Sequence, residues 1–364
     1  MHWLIYSILI FFFTYLGQKS VSGKKCIYFR ALLVVVLAYI IGFGGKVVTD
    51  HENYAKFYQQ FDSIDDFSIL NIIGKAGRFE YGFMFLAQIG KFFGLGVPGF
   101  LFMVAVFVNS LMVSVLYRFK YPILSILMFI STAYFAQQAN GVRQMIATAI
   151  FLYSLKYLID GKIAKYLVGV FLAATCHVGA ISLILLSLLY YVDLEKKFET
   201  IKIIIGGVWL VSLLGVAGLL HFETAIPTGA IGLYENFSEE TGDYGTHFNV
   251  FYNSALLLAL LGFKKKHVIY LIVYAIGCIL LNISMGSEFG KSIYRYAYYF
   301  TPFFCMFSGE LLFKANYLKF KYYTKPLMTL FVLYYTYRLL SLQILYQEEG
   351  LVGIDLYPLS DFFA

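Results

Sequence analysis

A succession of apolar runs separated by short polar segments is the feature that most constrains this chain of 364 residues. A bilayer core about 30 Å thick requires roughly 20 apolar residues per straight helical crossing, and shorter runs cross with Tyr, Ser and Gly at the interface. With 60% hydrophobic and only 13% charged residues, the composition indicates an all-α, polytopic membrane protein rather than a soluble one. The runs lie near 3–17, 29–45, 79–95, 99–117, 121–137, 143–159, 163–176, 178–191, 201–220, 249–263, 267–284, 294–313 and 327–345.

The charges between the runs are sorted by sign, which predicts a topology. Basic residues cluster in short loops near 19–30, 118–120, 162–165, 196–202, 264–266 and 314–325. The positive-inside rule places these loops in the cytoplasm. Acidic residues fall mostly in 46–78 and 221–248, which we therefore predict to be external loops of one integral membrane domain spanning 1–364.

The run at 79–95 does not fit a simple alternation of crossings. If every run crossed, the Arg118 loop would fall on the wrong face. In helical projection Glu80, Gln88 and Lys91 share a sector of about 80°, which is typical of an amphipathic helix. We therefore predict an external interfacial or re-entrant helix at 79–95, a break at His177, about 12 transmembrane crossings and both termini outside.

Several function classes have no support in the sequence. The chain has no P-loop, HExxH or GxSxG motif and no DxD-type acidic pair, which argues against nucleotide-driven chemistry and against a metal-bound nucleotide-sugar donor. The four cysteines have no metal-ligand spacing and give no argument for zinc or a disulfide. We predict no metal and no cofactor. The net charge of +7 resides in the short loops, where it reports topology rather than a nucleic-acid partner.

Two arginines at predicted external helix starts are candidate anion ligands. Arg143 follows Asn140-Gly141 and precedes Gln144, where the helix dipole and a guanidinium fork both favour phosphate. Arg295 begins another helix between Tyr294 and Tyr296. Two such arginines would clamp a diphosphate, with Gln144 beside it and Tyr294 as a wall for sugars. The alternative is that both arginines contact lipid headgroups.

Three further residues are candidates for proton transfer or sugar binding. His177 lies between two apolar runs, and imidazole is a natural proton acceptor. Glu80 is the rival base, and Asp50 is a candidate acceptor for sugar hydroxyls. The alternatives are a packing role for His177, a structural carboxylate at Glu80 and a solvated turn at Asp50.

Short motifs in a fixed order resemble a known family. They are Asp50, Tyr54 and Phe57, then Glu80-Tyr81-Gly82-Phe83, Asn140 with Arg143-Gln144, His177-Val178-Gly179-Ala180, Tyr294-Arg295-Tyr296 and Leu356-Tyr357-Pro358. Across nearly the whole chain, this order resembles the EpsG family of Wzy-type polysaccharide polymerases. Arg143 and His177 fall at the characteristic Arg and His of that family, and Arg295 falls at a later basic position.

The resemblance implies a glycosyltransferase that joins undecaprenyl-diphosphate-linked oligosaccharide repeats into O-antigen, capsule or exopolysaccharide. It implies a bacterial cytoplasmic (inner) membrane location, an active site on the periplasmic or external face, and a chain-length regulator and membrane lipids as partners. Two alternatives remain, an O-antigen ligase-like transferase and a flippase or transporter for the lipid-linked oligosaccharide. A transporter is expected to show inverted repeats and charges near the midplane, whereas these charges cluster at the predicted outer face.

Overall fold

In the part of the chain that the computed structural model describes, the regular secondary structure is helical and no strand occurs. The described residues are 2–19, 24–43, 51–61, 80–131, 135, 138, 141–216, 244–262, 265–285 and 290–306. They fall into two compact units whose boundary lies between Ser187 and Leu188.

The first unit contains the helices that carry the candidate site. In chain order they are α1 (His2–Lys19), α2 (Lys24–Phe43), α3 (His51–Gln60), α4 (Tyr81–Phe92), α5 (Val97–Leu116), α6 (Pro122–Ser131), α7 (Val142–Ile159), α8 (Ile163–Cys176) and the 3-10 helix η1 (Val178–Tyr191), which extends past the boundary. Among the described helices, α2 packs extensively on α5, and α7 packs on α8. Gly94 and Gly161 have φ of 62° and 71°, the left-handed region that glycine tolerates, and each allows a tight turn between two helices.

The second unit contains α9 (Phe198–Val216), α10 (Tyr244–Gly262), the short η2 (Lys265–His267), α11 (Val268–Met285) and α12 (Gly290–Phe300). Buried polar side chains join three of these helices. Trp209 Nε1 donates to Asn253 Oδ1 at 2.6 Å, Asn253 Nδ2 donates to Asn282 Oδ1 at 2.8 Å, and Asn282 Nδ2 donates to Ser212 Oγ at 2.8 Å. Such interhelical bonds satisfy polar groups that would otherwise face an apolar interior.

In the described part of the chain, three helices, α2, α5 and α11, are long and apolar enough to cross a membrane by length and composition. Shorter apolar helices accompany them, as in a multi-pass membrane protein. One of these, η1, has 14 residues. At about 2.0 Å of rise per residue in a 3-10 helix, that length extends about 28 Å, close to the thickness of a bilayer core.

The helices follow the predicted apolar runs closely, with informative differences. The predicted break at His177 is confirmed, since α8 ends at Cys176 and η1 begins at Val178. The segment 46–78, predicted as a loop, contains the helix α3, and the segment 221–248 overlaps the start of α10 at Tyr244. The run 327–345 lies outside the described residues.

The helix α4 does not have the polar outer face that its projection suggested. Gln88 is buried, whereas Tyr81, Phe85 and Phe92 are exposed. An exposed aromatic face suits contact with lipid rather than with water, because aromatic rings concentrate at the membrane interface. With 12 residues, α4 spans about 18 Å and is too short to cross a bilayer core unaided.

Candidate functional site

The carboxylate of Glu80 is the centre of the candidate site. Glu80 is the N-cap residue of α4 and has extended backbone angles (φ −77°, ψ 150°), but its side chain makes no capping bond to its own helix. Instead, one carboxylate oxygen reaches α7 and the other reaches η1. Glu80 therefore joins the starts of three helices that are far apart in the sequence.

Arg143 lies in the first turn of α7 and forms an ion pair with Glu80. Its Nη1 donates to Glu80 Oε2 at 2.6 Å, and the side chains of Arg143 and Glu80 are 26% and 18% exposed. Partial burial limits solvent screening, so this pair is stronger than a pair at an open surface. Tyr54 also interacts electrostatically with this guanidinium.

The second oxygen of Glu80 accepts from the backbone of η1. The Val178 N–H donates to Glu80 Oε1 at 3.2 Å. This amide belongs to the peptide bond that joins His177 to Val178, so Glu80 holds the chain directly beside the candidate base. At the first residue of a helix the N–H has no partner within that helix, and a carboxylate there satisfies it.

Aromatic packing holds Tyr54 at the site. The rings of Tyr54 and Phe57, both on α3, contact Phe83 on α4 with centroid distances of 5.6 and 5.5 Å. One turn further along α3, Tyr58 stacks on Phe100 at 4.3 Å, and its hydroxyl donates to the Leu95 carbonyl at 2.8 Å. Burial raises the pKa of Tyr58 to about 12, so its hydroxyl remains a donor at any physiological pH.

A close helix contact at Gly82 brings Glu80 to the end of α8. A Cβ atom at Gly82 would lie 2.5 Å from Thr175 Oγ1 and 2.9 Å from the Thr175 carbonyl carbon. Real Cβ atoms do not approach so closely, so only glycine permits this packing. The spacing of Glu80 and Gly82 is thus explained by packing. Gly82 allows α4 to approach the end of α8, and this approach lets the Glu80 side chain reach η1.

His177 connects α8 to η1 in extended conformation (φ −155°, ψ 113°). Its N–H donates to the Ala173 carbonyl at 3.0 Å, and its own carbonyl accepts from the Ala180 N–H at 2.9 Å. The side chain is half-buried. The chain therefore fixes the backbone of His177 on both sides, next to the amide that binds Glu80.

The other predicted site residues are distributed more widely. Gln144 is buried beside Arg143 on α7. Arg295 and Tyr294 lie on α12 of the second unit, where both are exposed and the Tyr298 hydroxyl donates to the Tyr294 hydroxyl at 2.8 Å. Asp50 lies outside the described residues. The structure thus brings together Glu80, Arg143 and the His177–Val178 peptide, all within the first unit.

Sequence reasoning missed two members of this group. The contact between Tyr54 and Arg143 was not anticipated, although Tyr54 occurs in an amphipathic segment whose aromatic face must pack on something. The Val178 N–H was also missed, because a backbone donor has no signature in side-chain patterns. The break at His177 was the available signal, since a new helix start there leaves free amides.

Chemically, the group joins two hydrogen-bond donors to one carboxylate, that of Glu80. A guanidinium and a helix-start amide are donors that suit phosphate oxygens, and here the two oxygens of Glu80 accept from them. In the part of the chain that the structure describes, no cluster of three or more His, Cys, Asp or Glu side chains could hold a metal ion.

Comparison with known proteins gives one match. The model of the EpsG family matches residues 27–352, which includes every described residue of the candidate site. No curated protein and no solved structure matches the chain.

Proposed function

The chain belongs to the EpsG family, and on that premise we propose that it is a membrane glycosyltransferase that polymerises polyprenyl-diphosphate-linked oligosaccharide repeats. Family membership and the apolar helices support a membrane protein of polysaccharide biosynthesis. The main structural support for an enzymatic site is that Arg143 and the His177–Val178 peptide both hydrogen-bond to Glu80.

In this proposal the diphosphate of the donor binds to Arg143 and displaces Glu80. A guanidinium donates two parallel hydrogen bonds to phosphate oxygens, and the Val178 N–H offers another. Both donors are held by Glu80 in the present structure, so the carboxylate occupies the position that a phosphate would take. Arg295, Tyr294, Gln144 and Asp50 remain proposed contacts to the diphosphate and the sugars.

The reaction itself is a glycosyl transfer. An acceptor hydroxyl oxygen attacks the anomeric carbon of the donor sugar, and the bond from that carbon to the diphosphate oxygen breaks. The bonding electrons leave with the polyprenyl diphosphate, whose growing charge Arg143 stabilises. The acceptor proton passes to a base, and no nucleotide or metal takes part.

We assign the base role to His177 and a positioning role to Glu80 when no donor is bound. In that state both oxygens of Glu80 accept hydrogen bonds, one from Arg143 and one from the Val178 N–H, so neither is positioned to take the acceptor's proton. Once the diphosphate displaces it, Glu80 becomes the rival base. In a kinetic assay, loss of the acidic limb of the pH–rate profile in His177→Gln supports His177. An unchanged profile there, with an inactive Glu80→Gln, transfers the role to Glu80.

The topology proposal puts this site on the external side of the bacterial cytoplasmic membrane. Lipid-linked repeats, membrane lipids and a chain-length regulator are the partners in that setting. The support is the loop charge pattern, since the basic loops alternate with segments that contain the starts of α7 and η1.

The test is reconstitution with a purified lipid-linked repeat. The wild-type protein in liposomes is expected to yield a ladder of polymer lengths, and Arg143→Ala is expected to yield none. Lys196→Ala is the control and should retain the ladder, because the Lys196 side chain is exposed and pairs with Asp193, away from the Glu80 site. Transfer of a glycan to a different lipid without a ladder would indicate a ligase. Movement of the repeat across the bilayer without bond formation would indicate a flippase.

A further inference from the structure

A second cationic surface lies at the opposite end of α7 from Arg143. Lys156 is in the last turn of α7, about 20 Å from Arg143 along the helix axis at 1.5 Å per residue. Around it are Arg118, just after α5, and Lys165, in the first turn of α8. The site with Glu80 includes none of these residues.

Two tyrosine rings link the three cations into a continuous row. Lys156 Nζ lies 3.9 Å from the ring centroid of Tyr153 and 4.6 Å from that of Tyr157. Arg118 contacts the Tyr153 ring at 4.8 Å, and Lys165 contacts the Tyr157 ring at 5.9 Å. We refer to these five residues as the cation–tyrosine cluster. The electron-rich faces of the rings attract cations, which brings like charges closer than solvated lysines would come.

No carboxylate pairs with Arg118, Lys156 or Lys165 among the described residues. The nearest acidic residue in the chain, Asp160, pairs with Lys162 at 3.6 Å instead. The positive-inside rule explains why basic residues occur at this end of the helices, but it does not require them to converge on two rings. An anion bound between them would offset their mutual repulsion.

An apolar surface continues from the cluster along α8. Val168 and Leu172 follow Lys165 at three and seven residues, within one sector of the helix, and are 59% and 54% exposed. A ligand at this place meets positive charge at the end of the helix and apolar surface beside it. That combination fits an amphiphile with an anionic head.

We propose that the cation–tyrosine cluster binds the headgroup phosphate of an anionic phospholipid whose acyl chains lie along Val168 and Leu172. Basic pockets between transmembrane helices on the cytoplasmic side bind such headgroups. The inference does not depend on the glycosyltransferase proposal, because it uses neither the Glu80 site nor the enzymatic reaction.

Binding is tested by native mass spectrometry of the full chain in detergent, titrated with phosphatidylglycerol or with phosphatidylcholine of the same acyl chains. We expect phosphatidylglycerol to bind preferentially and each removed charge to weaken it by about fivefold. The variants are Lys156→Gln and Lys165→Gln. Lys165 is exposed, so its substitution leaves the packing intact even if Lys156→Gln destabilises the fold.

Lys196→Gln is the matched control, because Lys196 lies in another predicted cytoplasmic loop and pairs with Asp193 at 3.0 Å. It should bind phosphatidylglycerol as the wild type does. Equal binding of the two lipids would overturn the proposal. Equal weakening in Lys165→Gln and Lys196→Gln would also overturn it, since that result reports general attraction to basic loops.

Discussion

At the scale of single residues, the two oxygens of Glu80 explain how the site is held without a ligand. One oxygen binds Arg143 and the other binds the Val178 N–H, so the carboxylate neutralises a charge and fixes a helix start. In our proposal a donor phosphate competes with it for Arg143 and for the Val178 N–H. The side chain that organises the site is then also the competitor that the donor displaces.

This competition predicts an unusual gain of affinity. Glu80→Gln keeps the size of the side chain and an oxygen that accepts from Val178, but it removes the negative charge that pairs with Arg143. Loss of a charged hydrogen bond of about 1.5 kcal/mol should tighten binding of farnesyl diphosphate by about tenfold. Calorimetry on the purified variant measures this change.

Variants of Arg143 separate the proposal that Glu80 competes with the diphosphate from the proposal that Arg143 binds it. Arg143→Ala should lose farnesyl diphosphate binding, and Arg143→Lys should recover it only in part, because an ammonium lacks the bidentate fork. Unchanged affinity in Glu80→Gln, with loss in Arg143→Ala, would remove the competitor role and leave the arginine role intact. Retained affinity in Arg143→Ala would contradict the diphosphate site itself.

A pair of tyrosines on α3 offers a controlled test of the second contact to Arg143. Tyr54→Phe and Tyr58→Phe each remove one buried hydroxyl and keep the ring packing. Tyr54 interacts with Arg143, whereas the hydroxyl of Tyr58 binds the Leu95 carbonyl. Each loss should cost about 1 kcal/mol of stability. Polymer yield should fall in Tyr54→Phe alone, and equal yields in the two variants would exclude a role for the Tyr54 hydroxyl.

The sequence identified the charged residues of the candidate site but not the contacts between them. Arg143 and Glu80 were identifiable because charged side chains are costly in so apolar a chain and are therefore expected to have a function. Their pairing with each other was not predictable, since 63 positions separate them and no local pattern reports a contact at that distance. The aromatic packing that brings Tyr54 to Arg143 likewise depends on tertiary structure.

At the scale of helices, the apolar runs predicted nearly every described element, because hydrophobic length and helix length are set by the same bilayer. The exceptions are instructive. The helix α3 was hidden in a polar segment because only one of its faces is apolar. The 3-10 geometry of η1 was not predicted, because hydropathy does not distinguish a 3-10 helix, which rises about 2.0 Å per residue, from an α-helix, which rises about 1.5 Å.

Helix packing at Gly82 yields a prediction at this scale. In Gly82→Ala the new methyl group would meet the backbone of Thr175, which cannot move aside as a flexible side-chain end could. We expect a loss of about 1–3 kcal/mol in stability and a larger loss of activity, because α4 carries Glu80 away from Arg143. Thermal unfolding and the polymerisation assay measure the two effects.

A glycine elsewhere in the chain supplies the control for this experiment. Gly207 lies within α9, and a Cβ there would have no atom within 4 Å. Gly207→Ala should leave activity unchanged and stability equal or higher, since alanine favours the helix. If Gly82→Ala behaves in the same way, the close contact with α8 is not required for the site.

At the scale of the whole molecule, the position of Glu80 bears on the topology. Because its carboxylate touches the starts of both α7 and η1, these two helices begin on the same side of the first unit, with α8 returning between them. That arrangement agrees with the alternation of basic and acidic loops. Whether that side is the external one depends on α4 not crossing the membrane, since an extra crossing would reverse the face of every later loop.

Single cysteines on either side of α4 and α5 decide whether α4 crosses. Gln60 and Lys120 are exposed, and the four native cysteines are buried, so Gln60→Cys and Lys120→Cys give a low background of labelling. With 20 residues, α5 extends about 30 Å and is long enough to cross, whereas α4 extends about 18 Å and is too short to cross a bilayer core unaided. A membrane-impermeant maleimide added to intact cells should therefore label Gln60→Cys and spare Lys120→Cys, which should react only after permeabilisation. Labelling of both from outside would mean that α4 crosses, and it would place the starts of α7 and η1, with Arg143 and His177, on the cytoplasmic side.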